Sequence, residues 1–269
     1  MNQLYDRYTP DDFKVWQALF ERQQFLLPGK ASQVYLQSVQ TVGFKATEIP
    51  RFDEVNEILR KRTGFSLYAV PGIVPDMEFF ELLMQRKFPA TTWLRKPHQL
   101  DYIEEPDMFH DVFGHVPLLA VPAFADFLEG LATIAHPHAH NPLIVELVAR
   151  LYWFTVEFGL LQEEEGLRIY GAGILSSVGE TAFCLGPVPQ RIPFDVQRIM
   201  ATAFHKDRFQ DKYYVINDFE QLFGSLPEID RVINAVVQVR QEALQPKPAG
   251  LGVEAAASLA LNQAVLQLA

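Results

Sequence analysis

Residues 104–119 read Glu-Glu-Pro-Asp-Met-Phe-His-Asp-Val-Phe-Gly-His-Val-Pro-Leu-Leu. His110 and His115 stand here in an otherwise apolar and acidic run. Two imidazoles joined by a later carboxylate hold a divalent metal and leave positions on it open for chemistry. The spacing constrains the backbone. Residues five apart on a regular α-helix lie about 140° from each other, so this pair cannot share a face of one. A helix that ends at Gly114 removes the conflict, because the chain turns back there and returns His115 beside His110. Pro117 then keeps the helix from resuming. Taken alone, a His pair at this spacing reads as two half-buried side chains, and the rest of the chain shifts the balance.

Downstream, Asn141-Pro142 opens a long helix through Leu143, Val145, Val148 and Leu151 to Tyr152-Trp153-Phe154-Thr155-Val156-Glu157-Phe158-Gly159. It is apolar nearly all round, as a central buried helix is. Glu157 lies within that company, and no basic residue stands within a helical turn of it. A buried carboxylate is costly unless it is paired or bound to a cation. Glu157 is therefore the expected third ligand. His136-Pro137-His138-Ala139-His140 offers another cluster, but Pro137 interrupts it and no acid or cysteine is adjacent in sequence, so it reads as a solvated loop.

Composition narrows the class. The chain has 269 residues, 49% hydrophobic and 21% charged, which suits a globular protein with one large core or two modest ones. A formal net charge of −10 argues against nucleic acid or an anionic membrane as partner. A single cysteine, Cys184, excludes an internal disulfide framework and a cysteine-rich zinc site. The N-terminal residues show no secretory pattern and no apolar stretch is long enough to span a bilayer, so a cytoplasmic protein is expected. The 21 phenylalanines supply material both for a core and for a pocket that receives flat ligands.

Toward the N-terminus, Thr9-Pro10-Asp11-Asp12 starts a helix that Pro28-Gly29 breaks. Helices are expected over 31–42 and 52–61, with Gly64 just past the second, then a strand over 65–70. Asp76 is expected to cap a helix burying Phe79, Phe80, Leu83 and Met84, and 88–94 to form a strand ending at Arg95. Further on, helices are expected over 122–134, 193–204 and 227–244, and strands over 167–170 and 213–216. Ser177-Val178-Gly179-Glu180 has the capping-box pattern. Ser176 or Ser177 either caps a helix or orients a ligand histidine from behind. The chain divides into a catalytic domain over 1–245 and, over 246–269, a Pro/Gly linker with an amphipathic helix.

The residues alone thus predict a predominantly α-helical α+β domain with short strands and a His110/His115/Glu157 site in an aromatic-rich pocket. That donor set suits non-haem Fe(II) and also catalytic zinc. A zinc-dependent hydrolase is the alternative in another class, although the spacing does not match H-E-x-x-H. A ligand-binding protein without catalysis is a third.

Three segments carry a resemblance: 105–117, Tyr-Trp-Phe-Thr-Val-Glu-Phe-Gly-Leu at 152–160, and Tyr-Gly-Ala-Gly-Ile-Leu-Ser-Ser at 170–177. Together they closely resemble the pterin-dependent aromatic amino acid hydroxylases, and the likeness extends over about 15–232. It is greatest to the short bacterial members that act on phenylalanine. The resemblance implies a single catalytic domain of that type, using Fe(II), O2 and a tetrahydropterin, either tetrahydrobiopterin or another bacterial pterin. It implies His110, His115 and Glu157 as iron ligands. Gly72, Ile73, Val74 and Phe79 match the pterin-binding region, with Asp111 near the pterin. Arg95 matches the arginine that grips the amino acid carboxylate, and Asp107 the acid that holds it. Pro106, Trp153 and Phe158 match the walls around the substrate ring. Ser176 matches a residue beside the first histidine and the substrate, while Ser177 and Glu180 are placed with groups that support the ligands from behind. Val215 matches a position that is Asp in tyrosine-hydroxylating members, and with Trp153 it favours L-phenylalanine over tyrosine or tryptophan. Ile103 departs from the Thr of animal members. The tail does not match their tetramerisation helix, so a monomer or small homo-oligomer is expected.

Overall fold

Thr9 caps the first helix, α1 (Pro10–Leu26), with a complete capping box to Asp12 and Pro10 in the first turn. In the computed structural model, which describes residues 2–101 and 103–244, this helix buries Val15, Trp16, Leu19, Phe20 and Gln23 along one stripe. The linker and helix expected over 246–269 lie outside the described residues. α2 (Gln33–Thr41) starts on the Ser32 cap. α3 (Phe52–Arg62) buries Phe52, Val55, Asn56 and Leu59 and places Asp53 and Glu54 at its start and Arg60, Lys61 and Arg62 at its end, favouring the helix dipole at both ends. Gly64, at φ +81°, supplies the left-handed turn into β1 (Ser66–Val70).

α4 (Asp76–Met84) begins differently from the expectation. Pro75 is the capping residue and makes no side-chain bond, and Asp76 is the first helical residue. Phe80, Leu82 and Leu83 face the core, while Phe79 is half-buried and Met84 exposed. β2 (Lys87–Thr91) pairs in parallel with β1 and stops short of the expected end at 94. Arg86, at φ 52°, joins α4 to β2 and binds Asp126, Glu129 and the Thr63 carbonyl.

The decisive stretch folds as a π-helix over Phe109–His115 that runs directly into α5 (Val116–Leu119). The expected helix end at Gly114 is absent. Gly114 is not among the glycines with positive φ, and Pro117 sits in the first turn of α5, where a missing N–H costs nothing. A β-carbon on Gly114 would meet the Ala172 carbonyl at 3.0 Å, so close approach is what this position requires.

α6 (Pro122–Ala135) is buried on most of its surface. α7 (Pro142–Tyr152), capped by Asn141, buries Ile144, Leu147, Val148 and Leu151. The expected single long helix then changes winding to a second π segment, Trp153–Glu157, closed by the Phe158 amide on the Trp153 carbonyl at 2.8 Å. β3 (Leu160–Glu163) and β4 (Gly166–Ile169) form a hairpin, followed by α8 (Ala172–Leu175) and α9 (Val178–Phe183). Cys184 is buried past α9, and burial, with the nearby Glu180 charge, pushes its thiol up to about 12.

The helix expected over 193–204 divides: β5 (Gln190–Pro193) precedes α10 (Val196–Ala201), which Asp195 caps. β6 (Lys212–Ile216) completes a sheet of order β4-β3-β6-β5, in which β6 runs parallel to both neighbours. α11 (Phe219–Gly224) and α12 (Leu226–Leu244) close the described chain. One hydrophobic core links both sheets and the surrounding helices, giving the helix-rich α+β domain expected. Among the described residues no single helix is long and apolar enough to cross a membrane.

Candidate metal centre

π winding brings His110 and His115 together. Its i→i+5 ladder widens the turn, so residues five apart become neighbours instead of lying on different faces. The two Nε2 atoms are 3.3 Å apart, and the rings meet edge to face at 5.0 Å. Glu157, from the other π segment, directs Oε1 to within 3.1 Å of His115 Nε2 and Oε2 to within 3.6 Å of His110 Nε2. Among the described residues this is the group whose ligand atoms converge, all within 4.8 Å of one another. His136 gathers no such cluster, although an acid does lie near it in space, Glu81 at 3.5 Å.

The protonation of the cluster suits a metal. Ser176 donates its one hydroxyl proton to the Ala172 carbonyl at 2.8 Å, so toward His110 Nδ1, at 3.0 Å, it accepts. Nδ1 then carries the His110 proton and the Nε2 lone pair faces the cluster. Burial alone would raise the Glu157 carboxyl, but positive charge at the His115 and His110 positions, which a bound metal ion would equally supply, and the Gly173 amide outweigh it and hold it below the usual range. His115 side-chain exposure is 3%, against 19% for His110 and 13% for Glu157, so the cluster opens on one side. Two imidazoles and one carboxylate converging without a Cys fit a facial, three-donor iron site with open positions.

The other expected residues fall into three groups. Arg95 and Asp107 are buried and form a two-pronged pair, Nε to Oδ2 at 2.9 Å and Nη2 to Oδ1 at 2.8 Å. The Arg95 amide also donates to Asp107, and Pro106 stands half-buried before that acid. Trp153 stacks between Phe158 at 4.7 Å and Phe204 at 4.4 Å. Pro106, Asp107, Trp153 and Phe158 lie on or just beside the two π segments, whereas Arg95 comes from the stretch after β2 and Phe204 from the stretch after α10.

Phe79 meets Phe80 and Tyr152 edge-on, at 6.1 and 5.5 Å, so neither neighbour stacks on its face. The adjoining loop holds Gly72 and Val74 half-buried and Ile73 exposed. Asp111 is buried, and its Oδ2 accepts from both the Thr91 amide and hydroxyl at 2.8 Å. Burial raises its carboxyl, partly offset by His110 and Thr91. Tyr152 was missed in the sequence, where it reads as one more core aromatic. Its ring is 5.5 Å from Phe79 and 6.4 Å from the His115 ring, so it lies between Phe79 and the metal cluster, and burial with the Glu157 and Asp111 charges pushes its hydroxyl up. Phe204 was missed as well, because it comes from a segment with no motif.

Ser177, Glu180 and Val215 do not join the cluster. Ser177 caps α9 through the Glu180 amide at 3.2 Å. The Glu180 carboxylate bonds the Tyr213 hydroxyl and the Gln210 amide instead of closing the capping box. Val215 lines a cavity of about 600 Å³ with Gly29, Gln162, Leu167 and Arg191, and none of the three cluster residues shares that lining. The strand alternation turns its side chain to that face of the sheet.

Comparison with known proteins agrees with this geometry. Residues 5–248 match the biopterin-dependent aromatic amino acid hydroxylase family. A phenylalanine-4-hydroxylase of Ralstonia nicotianae is 50% identical over 226 residues, spanning 84% of this chain and 72% of that protein. One from Chromobacterium violaceum is 48% identical over 221 residues, spanning 82% of this chain and 74% of its own. A crystal structure of the Chromobacterium violaceum phenylalanine hydroxylase, with bound iron(III) and oxidised 7,8-dihydrobiopterin, superposes with a TM-score of 0.82 at 47% identity, covering 87% of this chain and 86% of that one. With the family matched along nearly the whole chain and the three-donor cluster formed by its own residues, this protein belongs to the biopterin-dependent aromatic amino acid hydroxylases.

Proposed function

We propose that this enzyme hydroxylates L-phenylalanine to L-tyrosine, with His110, His115 and Glu157 holding iron. The convergence of those three ligand atoms, with His110 oriented by Ser176, is the observation that carries the reading. Iron held there would activate O2 and a bound tetrahydropterin would supply two electrons, so that one oxygen atom ends on the substrate ring and the other on the pterin. The protein's part is to bind, orient and exclude water.

Arg95 is proposed to hold the substrate carboxylate. Its two bonds to Asp107 use Nε and Nη2, which fixes the plane of the guanidinium and leaves Nη1 to donate. The substrate ring would then lie against Trp153 and Phe158, with Pro106 beside the carboxylate end. Phe79 offers an unstacked face to the pterin ring, and the loop 72–74 flanks it. Asp111, with Oδ2 fixed by Thr91, keeps Oδ1 for the pterin. The homologous phenylalanine hydroxylases support phenylalanine as the substrate. Val215 and Trp153 are proposed to favour the unsubstituted phenylalanine ring, Val215 by offering a phenolic hydroxyl no partner.

The test is to load the full chain with Fe(II) under anaerobic conditions, then add tetrahydropterin, O2 and each aromatic amino acid in competition. Tyrosine from phenylalanine should dominate the products. Preferred turnover of tyrosine or tryptophan would overturn the assignment, as would activity with Zn(II) in place of Fe(II).

A further inference from the structure

We infer that Phe204 is a positioning residue for substrate choice, acting through Trp153; this rests on the proposal that Trp153 forms a wall of the substrate pocket. The Trp153 indole lies between two rings, Phe158 at 4.7 Å and 31° and Phe204 at 4.4 Å and 18°. A buried tryptophan is ordinarily fixed by a hydrogen bond from its Nε1–H. Here Nε1 is buried with no partner among the described residues. No polar contact therefore sets the tilt of this indole, and the stacking rings do. Phe158 follows Trp153 by five residues at the end of the same π segment, whereas Phe204 arrives from a separate stretch between α10 and β6.

That stretch is tied down from several sides. Thr202 Oγ1 and the Tyr214 hydroxyl share a hydrogen bond of 2.7 Å. Gln210 is buried, and its side-chain amide donates to the carbonyls of His205 at 2.6 Å and Arg208 at 3.3 Å. Its backbone amide donates to Glu180 at 3.3 Å. The Phe204 ring also meets Phe154 edge-on at 6.5 Å. Glu180, which touches no ligand of the cluster, thus helps to hold the ring that fixes Trp153. A flat residue at 204 keeps the indole in one plane and limits the width left for a substrate ring. An aliphatic residue there frees the indole to tilt, which favours a bicyclic substrate relative to a single ring.

The experiment uses the iron-loaded full chain with saturating tetrahydropterin and competing L-phenylalanine and L-tryptophan. Phe204→Leu is expected to lower the phenylalanine-to-tryptophan ratio of kcat/KM by about fivefold, since pocket-wall changes shift discrimination on that scale. Phe204→Tyr, which keeps the ring, should stay within roughly twofold of the parent, and Phe204→Leu should change the ratio by less than about twofold once Trp153→Phe is present. Phe204→Met serves as a second aliphatic variant if the leucine form does not fold. Equal loss of both activities with an unchanged ratio would mean a structural role and overturn the inference. So would full additivity with Trp153→Phe. If Trp153→Phe alone leaves the ratio unchanged, the proposed wall itself is wrong, a failure distinct from that of Phe204.

Discussion

Phe109–His115 and Trp153–Glu157 are both wound as π-helix, yet the first is buried at every residue but His110 and runs on, while the second is half-buried at both its ends and stops. In the first, Phe109, Asp111, Val112, Phe113, Gly114 and His115 are all buried, and Phe109 stacks on Phe113 at 4.7 Å. It continues into α5 without a break. In the second, Phe154, Thr155 and Val156 are buried while Trp153 and Glu157 remain half-exposed, and the helix stops at Phe158. Its end is fixed from outside. A β-carbon on Gly171 would lie 2.4 Å from the Glu157 carbonyl oxygen, and the Gly173 amide faces the carboxylate. The spacing of the histidines is thus set locally by winding. The carboxylate is set by a distant passage, 171–173, that packs directly on its backbone.

The largest effect that would test this contrast is loss of the carboxylate. Glu157→Ala is expected to abolish iron binding and turnover while the circular dichroism of the fold persists, because the buried core of the second segment is untouched. Retained iron stoichiometry in that variant would remove Glu157 from the site. Ser176→Ala acts on the first segment only, by freeing the His110 ring, and should weaken iron binding or activity by roughly 10–100-fold. Iron titration followed by calorimetry reads it directly. A matched pair of glycine variants separates the segments. Gly171→Ala forces a methyl against rigid backbone and should cost about 1–3 kcal/mol or more in urea unfolding. Gly114→Ala meets the Ala172 carbonyl at 3.0 Å and should cost less. Equal losses would erase the distinction between locally wound and externally fixed ligands.

Arg95 belongs to neither segment and serves as a control on both. Arg95→Lys should raise KM for phenylalanine by more than about tenfold, from the loss of about 1.5–3 kcal/mol of charge-assisted bonding, and leave iron stoichiometry unchanged. A parallel rise in KM for the pterin would point to a structural disturbance instead. The smallest effect concerns Glu180. Burial raises its carboxyl above the ordinary range, despite the bonds from Tyr213 and Gln210. A carboxyl raised in the folded state disfavours that state once ionised, so stability is lost as pH rises through the unfolded and then the folded value. Glu180→Gln keeps an acceptor and should flatten that decline in unfolding curves taken from acid to neutral pH. An unchanged pH profile would show that the buried carboxyl is not the cause.

The site's chemistry was legible in the sequence because ligand character resides in residue type. His110, His115 and Glu157 could be singled out from their apolar surroundings before any geometry was known. Helix starts at Thr9 and Asn141 were legible for a similar reason, since caps are residue-specific. The winding was not. A π turn has no residue signature of its own, so Gly114 and Pro117 suggested a helix end that the packing against Ala172 makes unnecessary. β3 and β5 escaped because Leu160-Leu161-Gln162-Glu163 and Gln190-Arg191-Ile192-Pro193 do not alternate apolar with polar. Ser177 and Glu180 match a capping box, but the Glu180 carboxylate finds Tyr213 across the fold, a contact no local spacing encodes. For Val215, the strand was expected, but the face it presents depends on sheet order.

Cys184 gives the molecule an internal clock. A thiol whose pKa stands at about 12 and whose sulfur is buried offers almost no thiolate to an alkylating reagent while the chain is closed. Once the region past α9 opens, the sulfur reverts to an ordinary, reactive thiol. With one cysteine in the chain, each labelled molecule gains a single adduct, and the mass spectrum divides into molecules that have opened and molecules that have not. The labelling rate therefore counts opening events directly. Because the readout needs neither turnover nor colour, the same sulfur can compare the iron-free protein with the loaded enzyme and measure how far metal binding slows the opening.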